Sequence, residues 1–491
     1  MNTAGYAGMH SLVRSSTLLW FLLGSAIPCA GSAFAIGEQG SRAGGMGTAF
    51  TSVANDGSAL YYNPAGIAFQ PGAHMEMDNL VVVGLFRFTP SNPQPGTVVP
   101  ANGFSGSIKP HYIPVASLYA TYEFSPKITL GFGAFAPFGL ADNFTNFRDS
   151  DPNATKFSGR FAGTRARLES YWFQPTVAYR INENSSFALA PAFVHTHLFI
   201  EQSLLNPQGD ALTFGRIAAK TIFPGVDTEQ AARVIARLLP EGRSRVAGTS
   251  NSLAIAAGYL YKHPRSKTNF GLMYRSAVTN HLKGQASFAF GTGFPLETYI
   301  GSGFLGKSFP NQKITGSFTT PATYGVGISN SAFLNTTLSF DFRFQDFTRF
   351  ASVPLNFSVN TSNSKDAATP PEQRLIFDFR NSYHIAVGAE HPISPANTVR
   401  IGYLFDRSPV PDQSVGPLFP DANRNSFTLG GTHKSGNKEL TFFYEAMKFK
   451  NRVTNVAANN NIYTNGDYHS FAHLGGVSLR FDVTDIFTKK H

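Results

Sequence analysis

The sequence predicts an all-β membrane protein, a fourteen-stranded antiparallel transmembrane β-barrel, and three observations support this prediction. Only 14% of the 491 residues are charged and the mean hydropathy is −0.11, while phenylalanine and glycine each occur 46 times. Apolar residues alternate with polar or small ones from about residue 75 onward. The predicted strands are joined by alternately short and long connections. A membrane barrel produces all three patterns, because it spreads apolar residues over lipid-facing positions and has tight turns at one end only.

The first 33 residues form a predicted signal peptide. Arg14 supplies positive charge, residues 18–23 are a short apolar run, and small residues lead to a cleavage site after Ala33 or Ala35. The run is too short to span a bilayer as a helix. Cys29 could be a lipoprotein cysteine, but the proline before it argues against that interpretation. Because Cys29 is the only cysteine, the mature chain would have no disulfide. The predicted signal peptide indicates an exported protein.

Residues 40–66 form a compact stretch that is too rich in glycine, alanine and serine to bury much core by itself. Its end, Asn-Pro-Ala-Gly at residues 63–66, is a turn signal, because proline fixes φ and glycine tolerates a positive φ. Tyr61 and Tyr62 precede this turn as large amphipathic anchors. Such a segment before a long β region could be a plug or a short N-terminal extension.

Fourteen segments with a period of two are predicted strands, and Leu338–Gln345 is the clearest of them. The strands are residues 75–89, 113–124, 127–138, 165–181, 185–202, 251–262, 267–289, 315–330, 334–347, 382–391, 397–406, 425–434, 438–450 and 469–483. The long connections are residues 90–112, 139–164, 203–250, 290–314, 348–381, 407–424 and 451–468. A soluble sandwich would share the alternation, but it has no reason to sort its loops into short and long.

Two further elements complete the chain. Within the connection 203–250 a helix is predicted over residues 231–239, with Asp227 as its cap. Its apolar stripe could pack against other loops or contribute to an entry groove. Residues 476–481 have the glycine and spaced hydrophobic residues of a final barrel strand, which indicates the barrel-assembly machinery as a partner during biogenesis. Residues 484–491 would form a C-terminal tail.

Several stretches resemble the FadL-type family of outer-membrane transporters for long-chain fatty acids and other hydrophobic compounds, which includes aromatic hydrocarbon transporters. The resemblance covers nearly the whole mature chain and is strongest at residues 34–40, 44–50 and 61–66, with support from 274–276, 283–284, 405–411 and 420–424. It implies a hatch, residues 34–74, that plugs the lumen of a barrel formed by residues 75–483. It also implies a multi-pass protein of the Gram-negative outer membrane, with both termini in the periplasm.

The resemblance further implies passive transport. Loops 139–164, 203–250 and 290–314 would capture the substrate, an apolar pocket would receive it, and the hatch would move at Asn63, Pro64 and Ala65. Release would be lateral, beside a kinked third strand that contains Pro137 and Gly139. Proline cannot donate to the ladder and glycine permits a bulge, although the strand could also simply end near Pro137.

For the ligand, the resemblance implies basic side chains that hold a carboxylate. Arg424 stands at the matching place, although it could instead pair with Asp421 or Asp406. A second basic position falls on His197 and not on an arginine, which weakens carboxylate binding near neutral pH; Arg349 could compensate. His195 shares a face with His197, but nothing nearby in the sequence completes a metal site, and no metal or cofactor is predicted.

The sequence leaves three alternatives to fatty-acid transport open. Uptake of uncharged aromatic or aliphatic hydrocarbons is one, an outer-membrane lipid hydrolase is another, and a hydrophilic porin with a degenerate plug is a third. No hydrolase elbow, zinc-protease or P-loop motif occurs in the sequence, so we expect no enzyme. Lysine and arginine outnumber the acids by 40 to 30 without a basic cluster, which argues against nucleic acid. The expected partners are a hydrophobic small molecule and outer-membrane lipid, with the protein as a monomer.

Overall fold

The computed structural model describes most of the predicted barrel and hatch. It covers residues 33–91, 106–107, 113–143, 158–205, 210–222, 228–300, 303–358, 372–416, 418–455 and 464–488. The predicted signal peptide, except its last residue, and the predicted cap Asp227 lie outside these residues. None of the described helices is long and apolar enough to cross a membrane.

Fourteen antiparallel strands form a closed barrel in which each strand pairs with its neighbours in sequence and the last pairs with the first. The strands are β1 (Ala73–Pro90), β2 (Ile113–Ser125), β3 (Ile128–Asn143), β4 (Arg165–Arg180), β5 (Ser185–Leu204), β6 (Gly242–His263), β7 (Thr268–Arg275 and Val278–Phe290), β8 (Gln312–Thr320 and Thr323–Phe333), β9 (Thr336–Gln345 and Ser352–Phe357), β10 (Glu372–Ile376 and Ser382–Pro392), β11 (Asn397–Asp406), β12 (Arg424–Ser435), β13 (Lys438–Phe449 and Arg452–Thr454) and β14 (Gly466–Asp482). A two-residue strand, Gly106–Ser107, extends the pairing of β1.

The predicted strand number and the sorting of loops into short and long are confirmed, but several boundaries are wrong. β9 and β10 extend into the predicted connection 348–381 through Ser352–Phe357 and Glu372–Ile376. β6 begins at Gly242, whereas the sequence pattern placed its start at residue 251. Residues 242–250 contain small and charged residues with a single valine, so they give no apolar alternation. They nevertheless pair with β5 from Gly242 to Thr249, because an extension beyond the membrane needs no lipid-facing side chains.

Short helices fill the loops. In the β5–β6 connection lie α3 (Asp210–Ile222) and α4 (Thr228–Leu238), and in the β7–β8 connection lie α5 (Glu297–Ile300) and α6 (Phe304–Ser308). The predicted helix at 231–239 corresponds to α4, whereas α3 was not predicted. Apolar side chains of these loops share one buried cluster that includes Phe214, Ile235 and Leu305. The predicted helix therefore packs against its neighbouring loops.

The outer face of the wall is apolar, whereas the inner face carries polar, small and buried apolar side chains. In β9, Phe340 and Phe342 are 42% and 36% exposed, while the alternating residues Asp341 and Arg343 are buried. Buried charged side chains on the inner face need partners, since an unpaired buried polar group is costly. The hatch supplies those partners.

The hatch occupies the lumen and comprises α1 (Ser41–Gly45), α2 (Ala59–Tyr62) and a 3₁₀ helix (Pro64–Phe69). Because β1 begins at Ala73, the hatch as a separate segment ends at Gly72 and not at residue 74. Its backbone touches the wall so closely that wall glycines are required. A Cβ atom at Gly258 would lie 2.2 Å from Oδ1 of Asn63, and one at Gly271 would lie 2.2 Å from the carbonyl oxygen of Thr51. The sequence left open a plug or a short N-terminal extension, and this segment is a plug.

The remaining described elements are short. Single 3₁₀ turns occur at Ser158–Phe161, Phe347–Arg349 and Asp412–Ser414, and α7 (Thr484–Thr488) follows β14. Thr484 of α7 accepts the backbone N–H of Ala73 through its hydroxyl at 2.9 Å, so the start of β1 and the end of the barrel meet at the short-turn end.

Candidate functional site

β3 contains a bulge at the position where the sequence predicted a kink. Phe135 pairs with Trp172 of β4 and Phe138 pairs with Ser170, so β3 advances three residues while β4 advances two. Pro137 lies inside this shift and has no N–H to donate. The strand then continues to Asn143. The predicted irregularity is therefore present, and the alternative of a strand that ends at Pro137 is wrong.

Beyond the bulge, β3 loses its pairing with β2. The β2–β3 ladder extends from Ser125 only to the pair Leu118–Ala134. The preceding β2 residues, 113–117, pair with β1. Within the part of the chain that the structure describes, the wall thus has an opening between residues 113–117 of β2 and residues 135–143 of β3.

The hatch closes this opening from inside. The N–H of Ile36 donates to the carbonyl of Pro137 at 2.8 Å, and the N–H of Gly139 donates to the carbonyl of Phe34 at 2.7 Å. This short antiparallel pair uses the edge of β3 that β2 leaves unpaired. Three residues after Ile36, the side chain of Gln39 spans both sides of the opening.

The amide of Gln39 bonds to one strand with each of its two polar atoms. Its Nε2 donates to the carbonyl of Ala136 in β3 at 2.9 Å, and its Oε1 accepts from the hydroxyl of Ser117 in β2 at 3.1 Å. Gln39 therefore replaces, with a side chain, the ladder hydrogen bonds that β2 and β3 do not make with each other.

An apolar pocket lies next to this opening. The empty space in it, part of which opens to solvent, is about 390 Å³. The residues that line it are Leu140, Ala166, Arg167, Leu168, Leu198, Ile200, Phe318, Phe350, Val353, Phe377, Leu418 and Phe419. Leu140 belongs to the part of β3 beyond the bulge, so the pocket and the opening share a strand.

Phe34 of the hatch joins the pocket to the opening. Its ring centroid lies 4.9 Å from that of Phe350 and 6.1 Å from that of Phe419, both of which line the pocket, and 5.9 Å from that of Phe138 in β3. Such ring pairs contribute beyond the area they bury. Displacing Phe34 would open the pocket toward the bulge.

Of the predicted ligand residues, His197 does not line this pocket, and its ligand role stays a prediction. Leu198 and Ile200 line the pocket, so His197 between Thr196 and Leu198 projects from the opposite face of β5. Its Nδ1 lies 3.4 Å from Oε2 of Glu169. The same parity could have been recognised in the sequence, because His197 shares its face with Phe193, which is 45% exposed on the outside.

Arg424 is fully buried, but its guanidinium is engaged with carboxylates of the protein. Nε donates to Asp406 at 3.1 Å, and Nη1 donates to Asp421 at 3.4 Å. Asp421 also accepts the N–H of Ala33, at the beginning of the hatch. The structure thus supports pairing with both acids, the alternative that the sequence left open, and it gives Arg424 a role in holding the hatch. Its role as a ligand stays a prediction.

Arg349 and the histidine pair give no formed ligand site. The side chain of Arg349 is 60% exposed, and its Nε donates to Asp346 at 3.1 Å; its role as a ligand stays a prediction. His195 shares a hydrogen bond of 2.7 Å with Asn251. Among the described residues, no group of three or more histidines, cysteines or acids could hold a metal ion.

The Asn-Pro-Ala motif attaches the hatch to β5 and β6. Nδ2 of Asn63 donates to the carbonyls of Thr51 and Tyr259 at 2.9 and 3.0 Å, and its Oδ1 accepts the N–H of Ala65 at 3.2 Å. Pro64 occupies the first position of the 3₁₀ helix, where a missing N–H has no consequence. Ser186 of β5 donates to the carbonyl of Ala65 at 2.8 Å. The gating role of the motif stays a prediction.

One buried acid of the hatch lies near the Arg424 cluster without pairing with it. Burial raises the pKa of the Glu38 carboxyl well above its usual range, and the nearby Glu445 and Asp406 raise it further, while Arg424 opposes them. Glu38 is therefore protonated over a wider pH range than a surface glutamate.

The sequence did not assign a role to two residues that the structure brings to this site. Gln39 lies in the stretch 34–40 that carried the resemblance, but a glutamine gives no signal of spanning two strands. Arg275 ends the first segment of β7 and is also fully buried. Arg275 could have been singled out in the sequence, because a charged residue at a lumen-facing position of a barrel strand needs a partner.

Comparisons with known proteins agree with this architecture. A family model described as outer membrane protein transport protein (OMPP1/FadL/TodX) matches residues 21–482. The 47 kDa outer membrane protein of Pasteurella multocida is 24% identical over 431 residues, which are 86% of this chain and 90% of that protein. The long-chain fatty acid transport protein of Escherichia coli is 26% identical over 311 residues, which are 60% of this chain and 61% of that protein.

Two solved structures share the fold. A FadL homologue of Pseudomonas aeruginosa superposes with a TM-score of 0.71 at 17% identity, covering 94% of this chain and 99% of that one. The toluene transporter TodX of Pseudomonas putida superposes with a TM-score of 0.60 at 14% identity, covering 93% and 98%.

Proposed function

The chain belongs to the outer membrane protein transport protein family (OMPP1/FadL/TodX), and from this we propose that it carries hydrophobic small molecules passively across the outer membrane. Long-chain fatty acids are the favoured substrate. The Escherichia coli relative, which matches this chain in sequence, is named as a transporter of long-chain fatty acids.

One observation carries the proposal. An apolar pocket adjoins an opening in the barrel wall, and a segment of the hatch closes that opening. Each methylene group costs about 0.8 kcal/mol to expose to water, so a long alkyl chain needs a path that avoids the aqueous lumen. Substrate captured by the long loops would enter the pocket, displace Phe34 and residues 35–39, and leave laterally between β2 and β3.

The topology suggests how the barrel is oriented in the outer membrane. Tight turns of outer-membrane barrels face the periplasm, so both the start of β1 and the end of β14 would lie on that side, and we propose periplasmic termini. We further propose a monomer that contacts outer-membrane lipid at the opening and is inserted by the barrel-assembly machinery. A hydrophilic porin is disfavoured, because the hatch fills the lumen with buried backbone.

Uptake of uncharged hydrocarbons is the second candidate. Arg167 is the only charged residue that lines the pocket in the described part of the chain, and its Nη2 lies 2.6 Å from Glu169. The pocket itself would therefore accept an alkylbenzene as readily as an alkyl chain. TodX, which shares the fold, is named as a toluene transporter.

A disulfide between hatch and β3 tests the lateral path. Ala35 and Phe138 form a bridge in which the flanking residues make the hydrogen bonds. Their Cα atoms should thus be about 4.5 Å apart, a distance that a disulfide can span. We would replace both by cysteine in a Cys29→Ser background and measure uptake of a radiolabelled long-chain fatty acid by cells that lack their own transporter.

We expect the oxidised double variant to lose uptake and the reduced one to regain it. The two single-cysteine variants serve as matched controls and should transport under both conditions. Undiminished uptake by fully cross-linked protein would exclude release through the opening beside β3. Saturable binding of a fatty acid and of an alkylbenzene to the purified protein then compares the two substrate classes.

A further inference from the structure

Arg275 is a buried cation without a carboxylate partner. It is 1% exposed, and its Nη2 donates to the carbonyl of Tyr61 at 2.8 Å. No described acid lies within ion-pair distance of it, and its Nε has no hydrogen-bond acceptor among the described residues. Arginine stays charged in proteins, so the guanidinium cannot escape the cost of burial by losing a proton.

Aromatic rings surround this guanidinium on several sides. Its Cζ lies 4.2 Å from the ring centroid of Tyr61, 5.3 Å from that of Trp172 and 5.8 Å from that of Phe135. The ring faces offset part of the desolvation of the charge. They offer no acceptor to the N–H groups in the plane of the guanidinium.

Trp172, whose ring contacts the Arg275 guanidinium, adds a second unsatisfied donor. Its side chain is fully buried, and its indole Nε1 has no acceptor within the described part of the chain. Buried donors in folded proteins almost always have a partner, so an orphaned one calls for an explanation. Here a guanidinium N–H and an indole N–H, on neighbouring side chains, both lack an acceptor.

We propose that Arg275 and Trp172 form a binding site for the carboxylate headgroup of the substrate inside the barrel. This inference rests on the proposed function and narrows it to acidic hydrophobic molecules. A carboxylate has two oxygens in one plane and so matches the fork of a guanidinium. The surrounding rings would hold the first methylene groups, whereas a neutral hydrocarbon has nothing to accept either N–H.

The position of Arg275 links this site to the hatch and to the opening. Tyr61, whose carbonyl accepts from Arg275, precedes Asn63 of the hatch by two residues, and Phe135 begins the bulge of β3. A carboxylate at Arg275 would compete with the Tyr61 carbonyl for the guanidinium. Headgroup binding would therefore weaken a contact that holds the hatch, at the point where the wall opens.

The test compares an acid with its matched alcohol. Equilibrium binding of palmitate and of hexadecanol would be measured on purified full-length protein in detergent, for wild type, Arg275→Gln and Trp172→Phe. Arg265→Gln, in an exposed turn, is the matched control. We expect palmitate affinity to fall tenfold or more in Arg275→Gln, which is about 1.4 kcal/mol. The loss should be smaller in Trp172→Phe, which removes the indole N–H together with part of the ring. Hexadecanol affinity should change less than twofold in every variant.

The outcomes separate this inference from the proposed function. Palmitate affinity that is unchanged in both site variants overturns the carboxylate site but leaves hydrophobic transport standing. If wild type binds neither ligand, the proposed function itself fails. Equal losses for palmitate and hexadecanol would mean that the substitutions damage the fold, and would also overturn the headgroup role.

A second measurement needs no substitution at the site. In a Trp20→Phe background, Trp172 is the only tryptophan, and bromine quenches tryptophan emission at short range. Palmitate brominated beside the carboxylate should quench Trp172 more strongly than palmitate brominated at the far end. Equal or reversed quenching would mean that the headgroup binds elsewhere.

Discussion

Two buried arginines near the hatch differ in their partners, because one is paired with acids and the other is not. Arg424, on β12, lies among Asp406, Asp421 and further acids, and its charge is neutralised within the protein. Arg275, on β7, has a backbone carbonyl and aromatic rings around it, but no described acid within ion-pair distance. Both side chains are almost completely shielded from solvent.

The difference teaches how to separate a structural charge from one that is available to a ligand. A buried charge that the fold has already paired contributes to cohesion, and a ligand could bind it only by breaking that pair. A buried charge without an acid partner can gain from a ligand that supplies one. Burial and residue type are the same in the two cases; only the partners distinguish them.

The largest expected effect is a difference in stability between two matched substitutions. Arg424→Met leaves Asp406 and Asp421 buried without their cation, so we expect a loss of about 3–5 kcal/mol in the free energy of unfolding. Arg275→Met leaves no acid behind and should cost at most about 1–2 kcal/mol, mainly through the lost bond to Tyr61. Urea unfolding in detergent micelles, followed by Trp172 emission, measures both. Equal losses would abolish the distinction between the two arginines.

A smaller loss is expected at the attachment of the hatch on the Arg275 side, where Asn63 takes the place of an ion pair. Asn63→Ala removes three buried side-chain hydrogen bonds, and we expect a loss of about 2–3 kcal/mol in the free energy of unfolding. Asn330→Ala, near the exposed turn between β8 and β9, is a suitable control. Proteolysis of the hatch should become faster in Asn63→Ala, and an unchanged rate would argue against this anchoring role.

On the Arg424 side, the excess of acids predicts a pH dependence. The pKa of Glu38 is raised in the folded protein by burial and by Glu445 and Asp406. A raised carboxyl pKa means that the folded state binds the proton more tightly, so stability is lost as pH rises through that pKa. Glu38→Gln should flatten the fall in stability from acidic to alkaline pH, measured as the urea midpoint. A wild-type midpoint that rises with pH over this range would contradict the prediction.

The smallest effect is expected at an exposed arginine, outside both buried regions. Arg349 contacts Asp346 on the surface of a 3₁₀ turn, and such pairs contribute about 0–1 kcal/mol. Arg349→Ala should change the unfolding midpoint little and palmitate affinity less than twofold. A tenfold loss of palmitate affinity would restore Arg349 as a ligand residue and weaken the case for Arg275.

Much of the architecture could be predicted because the apolar alternation of each barrel strand lies within a short stretch of sequence. Alternation in segments such as Leu338–Gln345 identified strands, and sorted connections identified the two ends of the barrel. Pro137 marked the irregularity of β3, because a missing N–H is visible in the sequence itself. The extension of β6 and helix α3 escaped prediction, since residues outside the membrane carry no lipid-facing alternation.

The sequence by itself therefore determined the fold class, the fourteen strands, the compact segment ahead of them and the position of the bulge, all of which depend on residues close together in the chain. Only the tertiary structure decided which charges are paired. Arg424 meets Asp406 across 18 positions and Arg275 meets Tyr61 across 214. Those contacts arise from barrel closure around the hatch, and residue types alone do not reveal them.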